Sequence, residues 1–247
     1  MKNKIIFIGG CGRSGTTWLG ESLSSSSVTS LISEKQNIFY RSRLCALNSS
    51  LEAEFLPLIL KYYENKISTL DNSMCFIDKS HTNIWFLEKL LSNIENSAAI
   101  LIYRDPFDTV SSMLRHEKVM QPMQEWFKYP IPNRFLGIGG IASVSDYIGM
   151  NLIIRCVIRW ISHYQRVKAI EVLCLNKVVT VKYEHFTKQA FMKKKLKKII
   201  PGELDFSSFT NSSIGKSRTN LTVHQRKQVR DVLSKYCKAA LTEFPTR

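Results

Sequence analysis

Between Gly10 and Gly15 the chain reads GCGRSG and runs on into TTWL. Two glycines with four residues between them follow a short apolar, β-branched run (residues 4–8, KIIFI) and precede a helical pattern (Thr16–Leu23). That order, strand then glycine turn then helix, aims backbone N–H groups and a helix dipole at an anion. The related pattern GxxxxGK[ST] carries a lysine after its second glycine to reach the outer phosphates of a nucleoside triphosphate, together with a hydroxyl that holds Mg²⁺. Here Thr16 stands in the lysine position. A ligand whose 5′ end carries one phosphorus needs neither lysine nor metal. Gly12, Ser14 and Gly15 then shape the turn, Arg13 supplies positive charge from inside it, and Thr16 and Thr17 donate hydrogen bonds.

Such a loop requires a sheet to carry it. Further buried-strand candidates are MCFID (74–78), AAILIYR (98–104) and KVVTVKY (177–183). Between the first two lies the amphipathic stretch NIWFLEKLLSNI (83–94), whose Ile84, Leu87, Leu90 and Leu91 share one helical face. A long helical pattern runs from about Tyr147 to Leu175. Strands alternating with helices predict a three-layer α/β fold, a parallel central sheet flanked by helices, with ligands at the carboxyl ends of the strands. The 247 residues, 44% of them apolar, suffice for one domain over 1–247, with no repeat and no linker rich in Pro or Gly. Two segments read as loops or lids: 117–143, which holds three of the seven prolines, and the polar 207–220. The serines at 24–27 read as a helix end entering a turn.

An excess of 35 Lys and Arg over 20 Asp and Glu, net +15, favours anionic partners: phosphorylated cofactors, sulfated or phosphorylated substrates, nucleic acid or an acidic membrane face. The basic run at 193–198, KKKLKK, is a solvated helix face or a point of peripheral membrane contact. No aromatic interleaving or nucleic-acid motif accompanies these charges, so no nucleic-acid partner is expected. Six scattered cysteines without CxxC or metal-ligand spacing point to small buried thiols in a reducing compartment and to no metal. The apolar run near the N-terminus is too short for a secretory signal, and YIGMNLIIRCVIRWI is interrupted by Arg155 and Arg159, so a cytoplasmic protein without a transmembrane segment is expected.

The stretch GRSGTTWL resembles the 5′-phosphosulfate loop of the sulfotransferase family, whose members use 3′-phosphoadenosine 5′-phosphosulfate as donor on a P-loop-like fold. The resemblance implies a sulfotransferase that releases adenosine 3′,5′-bisphosphate and sulfates a hydroxyl of a carbohydrate, glycolipid or small molecule. It extends to YRDPFDTVSSML, which is similar to the family's 3′-phosphate signature, with Arg104 at a strand end and Ser112 eight residues on. A guanidinium and a hydroxyl so placed can converge on one phosphate; alternatively Arg104 pairs with Asp105 or Asp108. VKYEHF resembles the family's Tyr-Glu segment, which implies that Tyr183 lies near adenine. SSIGKSRTNLT resembles a C-terminal segment that closes over the 3′-phosphate, with Lys216 and Arg218 as donors, although Ser217 replaces the usual tryptophan.

Lys79, directly after CFID, faces the loop and is the expected cation at the bridging oxygen. DKSH resembles the Lys-Thr-His of cytosolic members, which implies His81 as catalytic base. Other branches use a glutamate shortly after the first helix, which implies Glu34, provided that partial desolvation raises its pKa. Glu34 and His81 thus enter as rivals. A kinase using ATP and a non-catalytic polyanion binder are the alternative readings. The aromatics Trp126, Phe127, Tyr129 and Phe135 either line an acceptor site or pack their segment to the body, and Arg155, Arg159 and Arg166 either steer an anionic acceptor or are paired helix residues.

Overall fold

The structure, a computed structural model, describes residues 5–24, 28–32, 34, 37–71, 74–200 and 203–245. The chain divides into two compact units, Met1–Tyr103 with Arg166–Phe209, and Arg104–Gln165 with Thr210–Arg247.

The first unit holds a five-stranded sheet: β1 (Ile5–Gly10), β2 (Thr29–Ile32), β3 (Cys75–Asp78), β4 (Ser97–Tyr103) and β5 (Val178–Lys182). All neighbours are parallel, in the order β2-β3-β1-β4-β5. Every residue of β1 and β4 is buried, as the continuous apolar runs require of central strands covered on both faces. Each fully buried Ile or Leu there contributes about 1.5–3 kcal/mol. From β1 the chain crosses to the far edge, returns through β3, then passes to the other side, so the residues after β1 leave the sheet at its switch point.

The helices follow in chain order: α1 (Thr16–Leu23), α2 (Asn37–Leu47), α3 (Glu52–Ser68), α4 (Leu87–Asn93), α5 (Pro106–Met113) and α6 (Glu117–Gln124). After them come α7 (Val144–Ile148), α8 (Leu152–Leu173), α9 (Gln189–Leu196), α10 (Ser217–Asn220), α11 (Val223–Tyr236) and α12 (Lys238–Glu243). Four expected strands and the first helix are present, and β2 is an additional strand. Of the serine run, Ser24 caps α1 through its N–H to Gly20 O, and Ser25, Ser26 and Ser27 lie outside the described residues.

Two helical expectations are corrected. The pattern Tyr147–Leu175 is two helices, parted at Gly149–Asn151, where glycine is a poor helix former and the Asn151 Oδ1 accepts the Ile154 N–H at 3.1 Å to start α8 afresh. The stretch 83–94 opens as a 3₁₀ turn, His81–Trp85, and becomes α-helical only at Leu87, after Phe86 leaves helical geometry at φ −138°.

In the second unit the segment 117–143 is built in rather than loose. It contains α6, and Asn133 organises the turn that follows, its backbone bonding Ile138 and Gly137 and its Oδ1 accepting the Leu136 N–H at 2.9 Å. Phe135, Leu136 and Ile138 are buried. Arg159 donates to Val119 O at 2.9 Å and Arg155 to Met123 O at 3.2 Å, so both guanidinium groups hold the backbone of α6. Arg155 also lies over the rings of Tyr147 and Trp126, and Arg159 over Phe135. In the first unit Arg166 bonds Ile84 O and pairs with Glu88. These three arginines are structural ties.

Candidate active site

The loop after β1 is shaped by close packing. A Cβ on Gly10 would strike the carbonyl oxygen of Ile102, and one on Gly15 would overlap the Tyr183 ring. Gly15 also sits at φ 96° as the N-cap of α1, and Arg13 adopts φ 75°, so the turn curls through the left-handed region twice. Ser14 N–H closes it onto Cys11 O at 3.1 Å. No side chain caps α1, which leaves its first-turn N–H groups directed at whatever lies in the turn. Ser14 is fully buried and its Oγ makes no hydrogen bond. A buried hydroxyl without a partner carries a desolvation cost that a bound anion removes. Cradle and hydroxyl together fit a single phosphate, with Arg13 exposed beside them.

Strand register explains what gathers next to this loop. Ile32 of β2 pairs with Asp78 of β3, and the Lys79 N–H continues the ladder to Ile32 O at 3.3 Å. The residues that follow the two strands therefore emerge side by side. His81 Nδ1 lies 2.7 Å from Glu34 Oε1, and Lys79 Nζ lies 3.6 Å from Glu34 Oε2 and 3.0 Å from Thr17 Oγ1. Lys79 packs its Cβ 3.2 Å from where a side chain on Gly20 would start, so a glycine in α1 gives the lysine stem its room. Glu34, Lys79, His81 and Thr17 form one cluster. Ser80, between the lysine and the histidine, is buried and its Oγ makes no hydrogen bond.

Beneath this turn a buried polar network fixes its backbone. Asp78 Oδ1 accepts the Ser80 N–H at 2.6 Å and Oδ2 accepts the Tyr63 hydroxyl at 2.7 Å. Asn83 donates to the Tyr63 oxygen at 2.9 Å and accepts from Ser42 at 2.6 Å. Burial pushes the Asp78 carboxyl up against these hydrogen bonds, and pushes the Tyr63 phenol well up too. Sequence reasoning overlooked this layer, because Tyr63 and Ser42 sit on helices distant in sequence and carry no motif.

The electrostatics of Glu34 correct the expectation of a raised carboxyl. Burial does push it up, but the hydrogen bond and charge of His81 and the charge of Lys79 outweigh that, and its pKa is lowered from 4.5. A carboxylate so stabilised is a weak proton acceptor and a strong orienting partner. A depressed folded-state pKa means that the ion pair stabilises the fold above the ordinary value and that this contribution is lost as pH falls through the lowered one. The melting-temperature difference between wild type and Glu34→Gln is therefore expected to hold steady from neutral pH down to about 5 and to shrink below it. Melts at stepped pH check this, and a difference flat down to pH 3 defeats it.

Tyr183 is buried and its ring meets Trp18 at 6.3 Å and Phe209 at 5.3 Å. Trp18 in turn meets Phe186 at 4.8 Å and Phe209 at 4.9 Å, with its indole N–H on Ser208 Oγ. Sequence reasoning gave a role to Tyr183 and none to Trp18 or Phe209. The signal for Trp18 was its place one residue after the paired threonines of the loop.

In the second unit Arg104 is buried, its guanidinium donates to Ser213 O, and it lies 3.8 Å from Asp108 Oδ2. Asp105 instead caps α5, accepting the Phe107 and Asp108 N–H groups. Ser112 is half-buried near the end of α5, and Lys216 and Arg218 are exposed. Among the described residues no group of three or more His, Cys, Asp or Glu is arranged to hold a metal, and no helix is long and apolar enough to cross a membrane.

The fold has counterparts among solved structures. One is the sulfotransferase domain from the curacin biosynthetic pathway, with a TM-score of 0.57 at 16% identity over 95% of this chain and 97% of that one. Another is the sulfotransferase domain of the Synechococcus PCC 7002 olefin synthase, with a TM-score of 0.55 at 12% identity over 96% of each. A third is a sulfotransferase from Alicyclobacillus acidocaldarius, with a TM-score of 0.50 at 12% identity over 97% of this chain and 98% of that one. No curated protein matches the chain. At these identities the structures speak for the fold, and the sequence speaks for the family: the model of the sulfotransferase domain matches residues 3–200, and the chain belongs to that family.

Proposed function

We propose that this sulfotransferase takes its sulfuryl group from 3′-phosphoadenosine 5′-phosphosulfate and delivers it to a hydroxyl of a carbohydrate, glycolipid or small metabolite in the cytoplasm. The observation that carries the reading is the Glu34–Lys79–His81 cluster bonded to Thr17 of a phosphate loop that lacks a lysine. The donor supplies an activated sulfate on a good leaving group. The loop N–H groups, Ser14, Thr16 and Arg13 hold its 5′-phosphate, and Tyr183 with Trp18 offers ring surface for adenine. Arg104 and Ser112 are assigned to the 3′-phosphate, with Lys216 and Arg218. The family match over residues 3–200 takes in residues of both compact units, and on this reading one sulfotransferase domain runs over 1–247.

His81 takes the acceptor's proton at Nε2, while Glu34 holds Nδ1 and so fixes which ring nitrogen faces the substrate. The acceptor oxygen bonds to sulfur as the sulfur–oxygen bond to the 5′-phosphate breaks, and Lys79 neutralises the charge that accumulates on that departing oxygen. Alignment by the rigid turn supplies the rest. Thermal-shift measurements with adenosine 3′,5′-bisphosphate, AMP and ATP with Mg²⁺ test the donor. Strong stabilisation by the bisphosphate and weak stabilisation by the others is expected, whereas a shift seen only with ATP and Mg²⁺ overturns the reading in favour of a kinase.

A further inference from the structure

Asp108 has no part in the roles assigned above, yet it is one of the most heavily committed polar groups of the second unit. It lies on α5, 4% exposed, and its two oxygens go to backbone more than a hundred residues later: Oδ2 accepts the Gly215 N–H at 2.6 Å and Oδ1 the Ser217 N–H at 2.8 Å. Burying a carboxylate is costly unless donors are fixed around it, and here the donors are the two N–H groups that flank Lys216. Gly215 makes this geometry accessible. Its φ of 77° turns the chain so that both amides face one carboxylate, while Lys216 between them stays exposed. Arg104, 3.8 Å from Asp108, donates to Ser213 O and so ties the same segment from its other side. Beyond it Arg226 donates to Arg218 O at 2.8 Å and to Leu221 O at 2.6 Å, which anchors α10. The backbone on both sides of Lys216 and Arg218 is thereby fixed before any ligand arrives.

We infer that Asp108 is a positioning residue that holds the 213–218 segment so that Lys216 and Arg218 select ligands carrying a phosphate on the ribose 3′ oxygen. The inference deepens the donor reading and rests on it. Cations on a pre-ordered backbone lose less freedom when they meet a phosphate, so the ordering appears as affinity for that phosphate alone. Asparagine at 108 can accept only one of the two N–H groups and turns an amide donor toward the other, which loosens the segment; the negative charge it removes would by itself favour a phosphate, so a lost preference reports the loosening.

Titration calorimetry on the full chain compares adenosine 3′,5′-bisphosphate with AMP for wild type, Asp108→Asn and Gly215→Val. A Cβ at Gly215 meets nothing within 4 Å, so valine there strains only the segment's own backbone and spares the core. The preference for the bisphosphate is expected to fall roughly tenfold or more in both variants while AMP affinity stays within about twofold. If wild type shows no preference, the donor reading falls and this inference with it. If wild type prefers the bisphosphate and the variants keep that preference, or lose affinity for both nucleotides alike, the inference is overturned and the donor reading stands. Should Asp108→Asn fail to fold, the ratio in Gly215→Val decides alone.

Discussion

Replacing Lys79 by methionine is expected to lower kcat roughly 10²- to 10³-fold while donor affinity moves only a few-fold, the pattern for loss of a group that stabilises charge present mainly in the transition state. Methionine keeps the stem length that Gly20 accommodates and removes only the ammonium, so the α1 packing survives. The effect is large because the side chain is only 11% exposed, where the surroundings weaken a charge far less than water does. On the proposed reading donor binding is spared, since the loop amides and the buried Ser14 hydroxyl would hold the phosphate without it. Single-turnover rates together with donor Kd separate the two quantities. A rate within threefold of wild type would remove Lys79 from the chemistry.

The second large effect concerns the proton. His81→Ala is expected to lower the rate by about 10²- to 10⁴-fold. Glu34→Gln should cost less, roughly tenfold or more, since glutamine still meets Nδ1 but can no longer favour a positive imidazole. The double variant should be no slower than His81→Ala, because a group that acts through the imidazole has nothing left to act through. The opposite ranking, with Glu34→Gln as slow as the double variant and His81→Ala nearly unimpaired, would falsify the assignment and make the glutamate the base.

That the two residues are partners was not legible in the sequence, and the reason is specific. Forty-seven positions separate Glu34 from His81, and what joins them is the pairing of β2 with β3. β2 is four residues long, TSLI, with polar residues in half its positions, so it shows no apolar run and forms because β3 offers it a ladder. The strands β1, β3, β4 and β5 were legible because their apolar runs are continuous and end in glycine or charge. The shape of the loop was legible too, since it resides in spacing and in glycines that no side chain can replace. For Arg155 and Arg159 the sequence left two alternatives, steering of an anionic acceptor or pairing within the fold, and the structure realises the second, since their guanidinium groups satisfy carbonyls of α6. Asp108 was hidden because its partners are backbone amides, which any sequence supplies.

The central position of β1 also has a bearing on how the protein is made. This strand leaves the ribosome about 90 residues ahead of the end of β4, so at ordinary elongation speeds its sticky edges wait about 5 to 20 seconds for both neighbours. Nascent chains stalled inside that window present an unguarded template for intermolecular pairing, and production in a host rich in ribosome-associated chaperones should raise the recovered yield more than any change to the finished surface.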